Sequence, residues 1–130
     1  MSNSSTMQRG FLLLTAAGLV PIALSYGAMP GRSLPWLFDI DASAVNTRHI
    51  FRAVMGLYLG LVCFWIAGAF RSDLRTPALW SLLVFMFGLA LGRLFSLLVD
   101  GWAHPLLIFY MIAEFVFGYL AWRLLKFRVE

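Results

Sequence analysis

Long apolar runs alternate with short polar breaks along the chain, and four runs reach the length of a bilayer. They extend from Phe11 to Met29, Thr47 to Phe70, Pro77 to Val99 and Pro105 to Lys126. A spanning helix needs about 20 mainly apolar residues, so each run predicts one span. Pro77 and Pro105 stand where helices start, because the missing N–H does no harm in a first turn. Thr76, just before Pro77, is suited to cap the third span. The breaks Arg71–Arg75 and Asp100–His104 are short enough to force antiparallel neighbours. The pattern predicts an all-α fold, an integral membrane four-helix antiparallel bundle forming a single domain over residues 1–130.

The first run has a second reading. Arg9 followed by Phe11-Leu-Leu-Leu-Thr-Ala-Ala-Gly18 resembles the start of a secretory signal, and small residues near Ala23 to Ala28 mimic a cleavage site. A run of about 19 residues is long for a signal. The expectation is an uncleaved span, kinked at Pro21 where neighbouring helices accommodate it. Between the first two spans, Pro30, Gly31 and Pro35 predict an irregular outer loop over residues 30–46. Trp36, Leu37 and Phe38 suit the membrane interface, so the loop is either a cap across the bundle mouth or a plain connector.

Composition narrows the class. The chain is 62% hydrophobic and 12% charged, with a mean hydropathy of +0.85. Soluble domains are about 45–50% apolar and about 25% charged. A water-soluble enzyme this short has no way to hide the apolar surface, and disorder requires the opposite composition. A net charge of +4 and a pI near 9.8 suggest nucleic acid in a soluble protein, but here the cations flank apolar runs and set orientation. One side carries Arg9, Arg71, Arg75, Arg123, Lys126 and Arg128; the other carries Arg32 and Arg48 with Asp39, Asp41 and Asp100. The excess places both termini in the cytoplasm. Cys63, a single cysteine, offers no disulfide partner.

Three charges remain inside the spans: Arg52, Arg93 and Glu114. Ionisable groups there are costly and usually face the bundle interior or water. At about 1.5 Å per residue, Arg52 lies about 7 Å, Arg93 about 9 Å and Glu114 about 13 Å below the outer ends of their spans. All three fall in the outer half. Helical spacing extends the cluster: Arg93, Ser96 and Asp100 make one stripe, Tyr110, Glu114 and Gly118 another, and His49, Arg52 and Gly56 a third. These stripes predict an outward-facing polar pocket in which Arg93 or Arg52 pairs with Glu114. Two Arg against one Glu leave it positive unless Asp100, Asp39 or Asp41 reaches in, and a positive pocket suits an anionic headgroup or a small carboxylate. Two plainer readings stand beside it: an ion pair that only fixes helix packing, or arginines that snorkel to the headgroups.

Gly56 with Gly60, and Gly88 with Gly92, form GxxxG pairs that allow close helix approach. Contact within the bundle is expected of them ahead of dimerisation. The Phe-rich faces read as core and lipid contact. No metal motif appears, and a site joining His49 and His104 to Asp100 is possible only by position. No cofactor is expected.

Two runs carry a family resemblance. One is Asn46-Thr-Arg-His-Ile-Phe-Arg52-Ala-Val-Met-Gly56-Leu-Tyr58-Leu-Gly60, and the other Phe87-Gly88-Leu-Ala-Leu-Gly92-Arg93-Leu-Phe-Ser96-Leu-Leu-Val-Asp100-Gly101, followed by Glu114 and Gly118. Together they resemble the bacterial membrane family catalogued as domain of unknown function 4345, from about Gly10 to Arg123. The resemblance implies a compact four-helix inner-membrane protein, with Arg52, Arg93, Ser96, Asp100 and Glu114 on the family pattern, and brings no established reaction.

The sequence thus favours a non-enzymatic accessory or binding subunit. Its outward pocket is expected to hold a lipid-like or small anionic ligand, and a homo-oligomer or a membrane-complex partner is compatible with it. The alternative is a small proton-coupled transporter using Glu114; a membrane enzyme acting on a lipid ranks third.

Overall fold

A computed structural model describes residues 3–128, with side chains to Lys126. Four long helices, α1 (Asn3–Gly27), α3 (Val45–Phe70), α4 (Ser72–Asp100) and α5 (Pro105–Arg128), contain 25, 26, 29 and 24 residues. At about 1.5 Å per residue each outruns a hydrocarbon core of about 30 Å. A short helix, α2 (Pro30–Phe38), lies between α1 and α3. The long helices pack in antiparallel pairs: α1 most extensively on α3, α4 on α5, and α3 on α4, while α5 meets α1 only sparsely. Gln8 Nε2 donates to the Leu124 carbonyl at 3.0 Å, and Arg75 Nη1 to Ser5 Oγ at 2.9 Å. These bonds gather the start of α1, the α3/α4 turn and the end of α5 at one end of the bundle.

Buried Leu12, Leu19, Tyr26, Tyr58, Trp65 and Leu82 form the interior, and the Trp65 indole donates to Ser81 Oγ at 3.0 Å. Outside, large apolar side chains stand bare, Leu98 at 79% exposure among them. A lipid surround makes such a surface favourable. The four long helices are apolar enough to cross a membrane.

Several boundaries differ from the expected spans. The first helix is already formed at Asn3, the first described residue, ahead of Phe11, because Ser5 and Gln8 satisfy tertiary hydrogen bonds that hold its polar turns. It also ends at Gly27, two residues short of Met29, and Pro21 sits inside it without ending it. The third span begins at Ser72, so Thr76 and Pro77 are inside α4 and neither caps nor starts it. Arg71 alone makes the turn, and Asp73 favours the first turn of α4 through the helix dipole. Pro105 does open α5, and the cap is His104, whose Nδ1 accepts the Leu106 N–H at 3.1 Å.

Residues 30–46 are not wholly irregular. Pro30 is pre-set for a first helical position, and Pro30, Leu34 and Phe38 bury one face at i, i+4 and i+8. Trp36 on the opposite face is 82% exposed. α2 packs on α1, α3 and α5, lying across the end of the bundle away from the termini. It stops at Asp39, which adopts φ 58°, with its N–H and that of Ile40 donating to Pro35 and Leu34 carbonyls at 3.2 Å. In the following connector the Ser43 N–H donates to Asp41 Oδ1 at 3.0 Å, holding that carboxyl below the ordinary aspartate range.

Close approach does not occur at the GxxxG pairs. A Cβ added at Gly56, Gly60, Gly88 or Gly92 meets nothing within 4 Å, so all four face outward. The tight contacts are at Gly27, where a Cβ sits 2.6 Å from Met55 Cβ, at Gly68 against Ala78, and at Gly118, 3.1 Å from the Phe87 ring. A four-residue spacing marks a smooth stripe on a helix; which way the stripe turns is decided by its larger neighbours.

Candidate functional site

All five helices contribute to one polar cluster in the half of the bundle under α2. Arg93 Nε on α4 donates to Glu114 Oε1 on α5 at 2.9 Å. Its Nη2 donates to the Tyr26 hydroxyl of α1 at 3.2 Å, and its Cζ lies 5.9 Å from the Tyr110 ring centroid. Glu114 is only 8% exposed, and the Arg93 side chain 22%. Aromatic rings close the cluster. Tyr26 packs on Phe38 of α2 at 5.5 Å, Phe51 at 5.8 Å and Tyr58 at 5.6 Å, and Phe38 reaches Tyr110 at 6.1 Å. One end of α2 thus roofs the ion pair.

Of the residues singled out by depth and spacing, Arg93, Tyr110 and Glu114 come together. Ser96 and Asp100 continue the α4 stripe outward, with Ser96 Oγ donating to Asp100 Oδ2 at 3.0 Å, both exposed. Arg52 lies elsewhere: its Nη1 donates to the Gly27 and Ala28 carbonyls at 2.9 and 3.4 Å, so it caps the end of α1. His49 is exposed on α3, and Gly118 packs on α4 instead of lining the site. One Arg therefore faces one Glu, and the expected surplus of positive charge is not assembled. Tyr26 escaped the sequence reading, which followed charges, and Phe38 was expected only as an interfacial residue of a loop able to cap the bundle mouth. A tyrosine near the end of an apolar run was the available signal for the first; Phe38 depended on a helix that the prolines hid.

Openings flank the ion pair. Between α1 and α5 a cleft of about 270 Å³, walled by Leu14, Gly18, Phe109 and Ala113, reaches Glu114 and Tyr58. Between α3 and α4 a groove of about 430 Å³, walled by Phe51, Val54, Gly88 and Gly92, reaches Arg93 and Ser96. Leu14 and Phe109 at the first rim are exposed, so that cleft opens sideways towards lipid, whereas the sequence predicted an outward mouth. Its lining is almost wholly apolar, with the carboxylate at its end.

The profile of the family described as Domain of unknown function (DUF4345) matches residues 7–125. The chain belongs to that family. The matched DUF4345 segment takes in α2, α3 and α4 whole and most of α1 and α5, so the ion pair, both openings and the roof lie within it. No curated protein and no solved structure matches this DUF4345 chain.

Proposed function

We propose that this DUF4345 protein is a non-enzymatic integral membrane protein that holds a lipid-like molecule in the α1/α5 cleft. The molecule's hydrogen-bond donor, a hydroxyl or an amine, rests on Glu114. The observation that carries this reading is the placing of a nearly buried carboxylate at the end of an apolar, sideways-opening cleft. A small anion fits less well, because Arg93 already faces Glu114 and Arg52 is engaged at α1. Orientation follows the cation excess, with both termini cytoplasmic and the membrane a bacterial inner membrane. Arg128 belongs to that excess, though its side chain lies outside the described residues.

Native mass spectrometry of protein extracted with its lipids tests the reading. Gly18 lines the cleft and has nothing within 4 Å of an added Cβ, so Gly18→Leu sends its side chain into the space with no clash at Cβ. The wild type is expected to carry a bound molecule that Gly18→Leu loses and Glu114→Gln retains about tenfold less, the worth of one charge-assisted hydrogen bond. A wild type without such a molecule, or full retention in folded Gly18→Leu, sinks the proposal. One observation supports a second reading, a proton-coupled transporter: the pair stands between openings on two sides of the bundle. In liposomes that reading requires pH-driven uptake abolished by Glu114→Gln, and an absence of uptake by the wild type removes it.

A further inference from the structure

The cations at the terminus end of the bundle differ in what they hold. Arg75 is buried, donating to the Gly68 and Ala69 carbonyls at 3.2 and 2.9 Å. Arg71 grips Asp73 at 2.8 Å, and Asp73 is the acidic side chain at this end among the described residues. Arg123 and Lys126 are placed differently, one turn apart on the exposed face of α5. Arg123 lies 5.9 Å from the Tyr119 ring centroid and donates to its hydroxyl at 2.9 Å. Lys126 lies 4.4 Å from the Trp122 centroid. Amphipathic aromatic rings beside cations suit the headgroup level of a bilayer.

Beside this pair the α1/α5 seam opens again, into a groove of about 470 Å³. Gly10 and Phe11 of α1 and Leu120 and Leu124 of α5 wall it, and Arg123 lies in its lining. The Phe11 and Phe117 rings, 5.6 Å apart, pinch the seam between this groove and the cleft at Glu114. In a bilayer an apolar groove is filled by an acyl chain, and the charge at its mouth selects the headgroup.

We infer that this groove is a site for an anionic phospholipid, its phosphate on Arg123 and Lys126 and one acyl chain along Gly10, Phe11 and Leu120. Arg123 supplies a planar fork of N–H donors for phosphate oxygens, and Lys126 a point charge. The inference is independent of the proposed role of Glu114.

Delipidated protein offered equal phosphatidylglycerol and phosphatidylcholine, followed by native mass spectrometry, tests it. The wild type is expected to retain phosphatidylglycerol preferentially. Each cation near an anionic surface is worth about a fivefold change, so Arg123→Gln with Lys126→Gln lowers retention about twenty-five-fold. Gly10→Leu plugs the groove with both cations in place, since a Cβ there meets nothing within 4 Å, and is expected to lose the adduct. Gly18→Leu, which fills the other cleft, keeps it. Equal retention of both lipids by the wild type overturns the inference. So does undiminished phosphatidylglycerol in folded Gly10→Leu, which reduces the effect to bulk surface charge. If Gly10→Leu does not fold, Gly10→Val, which narrows the same groove with both cations in place, takes its part, and undiminished phosphatidylglycerol in it overturns the inference.

Discussion

Arg93 and Glu114 are each costly inside a bilayer and tolerable together. Removing one partner of a buried pair leaves an uncompensated charge and costs about 3–5 kcal/mol, whereas replacing both with apolar groups is often neutral. With 22% of the Arg93 side chain exposed, the lower end of that range applies. Arg93→Met alone is expected to destabilise the protein by about 3 kcal/mol in detergent unfolding, and Arg93→Met with Glu114→Leu to recover most of it. An unchanged melting temperature in the single variant would mean that the pair does not hold α4 to α5. Depth arithmetic identified these two residues because a mid-span charge must find a partner. It grouped Arg52 with them because charge alone does not reveal which partner. Helix C-termini offer bare carbonyls and a negative dipole end, and two arginines take that option. Arg52 caps α1, and Arg75, expected at the surface for orientation, is buried on the last carbonyls of α3.

At the scale of elements, the long helices were legible because apolar length is a strong signal, while their ends were not. Ser5 and Gln8 are polar by composition and become helical through contacts with Arg75 and α5. α2 was hidden for a related reason: Pro30 and Pro35 suggest a loop, and only the packing of Pro30, Leu34 and Phe38 on the bundle makes a helix favourable. Glycine separates the two kinds of information most sharply. Gly27→Ala and Gly68→Ala put a methyl group into α3 and α4 respectively and are expected to lower detergent stability by about 1–3 kcal/mol, the usual range for overpacking. Gly56, Gly60, Gly88 and Gly92 face outward, so replacing any of them with Ala is expected to leave the monomer's stability unchanged or raise it by about 0.5–1 kcal/mol. Thermal unfolding of the six single variants, with size-exclusion chromatography to read oligomeric state, checks both halves. Destabilisation of the monomer by Gly88→Ala or Gly92→Ala would contradict the outward placement of that stripe.

For the whole molecule, the proposed orientation does not depend on Arg75. With that residue set aside, Arg9, Arg71, Arg123, Lys126 and Arg128 stand against Arg32 and Arg48. Five against two is still a clear bias, since orientation follows Lys and Arg near span ends. Four spans bring both termini to one side, so a single reporter reads the topology. A fluorescent protein that matures only in the cytoplasm, fused after Glu130, is expected to be bright in the wild type and equally bright per folded molecule in Arg75→Gln. Neutralising Arg71, Arg123 and Lys126 together cuts the bias to Arg9 and Arg128 against Arg32 and Arg48, and a mixed population with dimmer fluorescence is expected. A dark but membrane-inserted wild-type fusion would invert the topology. It would also turn the Arg123/Lys126 groove towards the outer leaflet, where the supply of anionic lipid is different. Under both proposals Arg123 and Lys126 would serve twice, as part of the cation excess that orients the chain and as the groove's phosphate ligands.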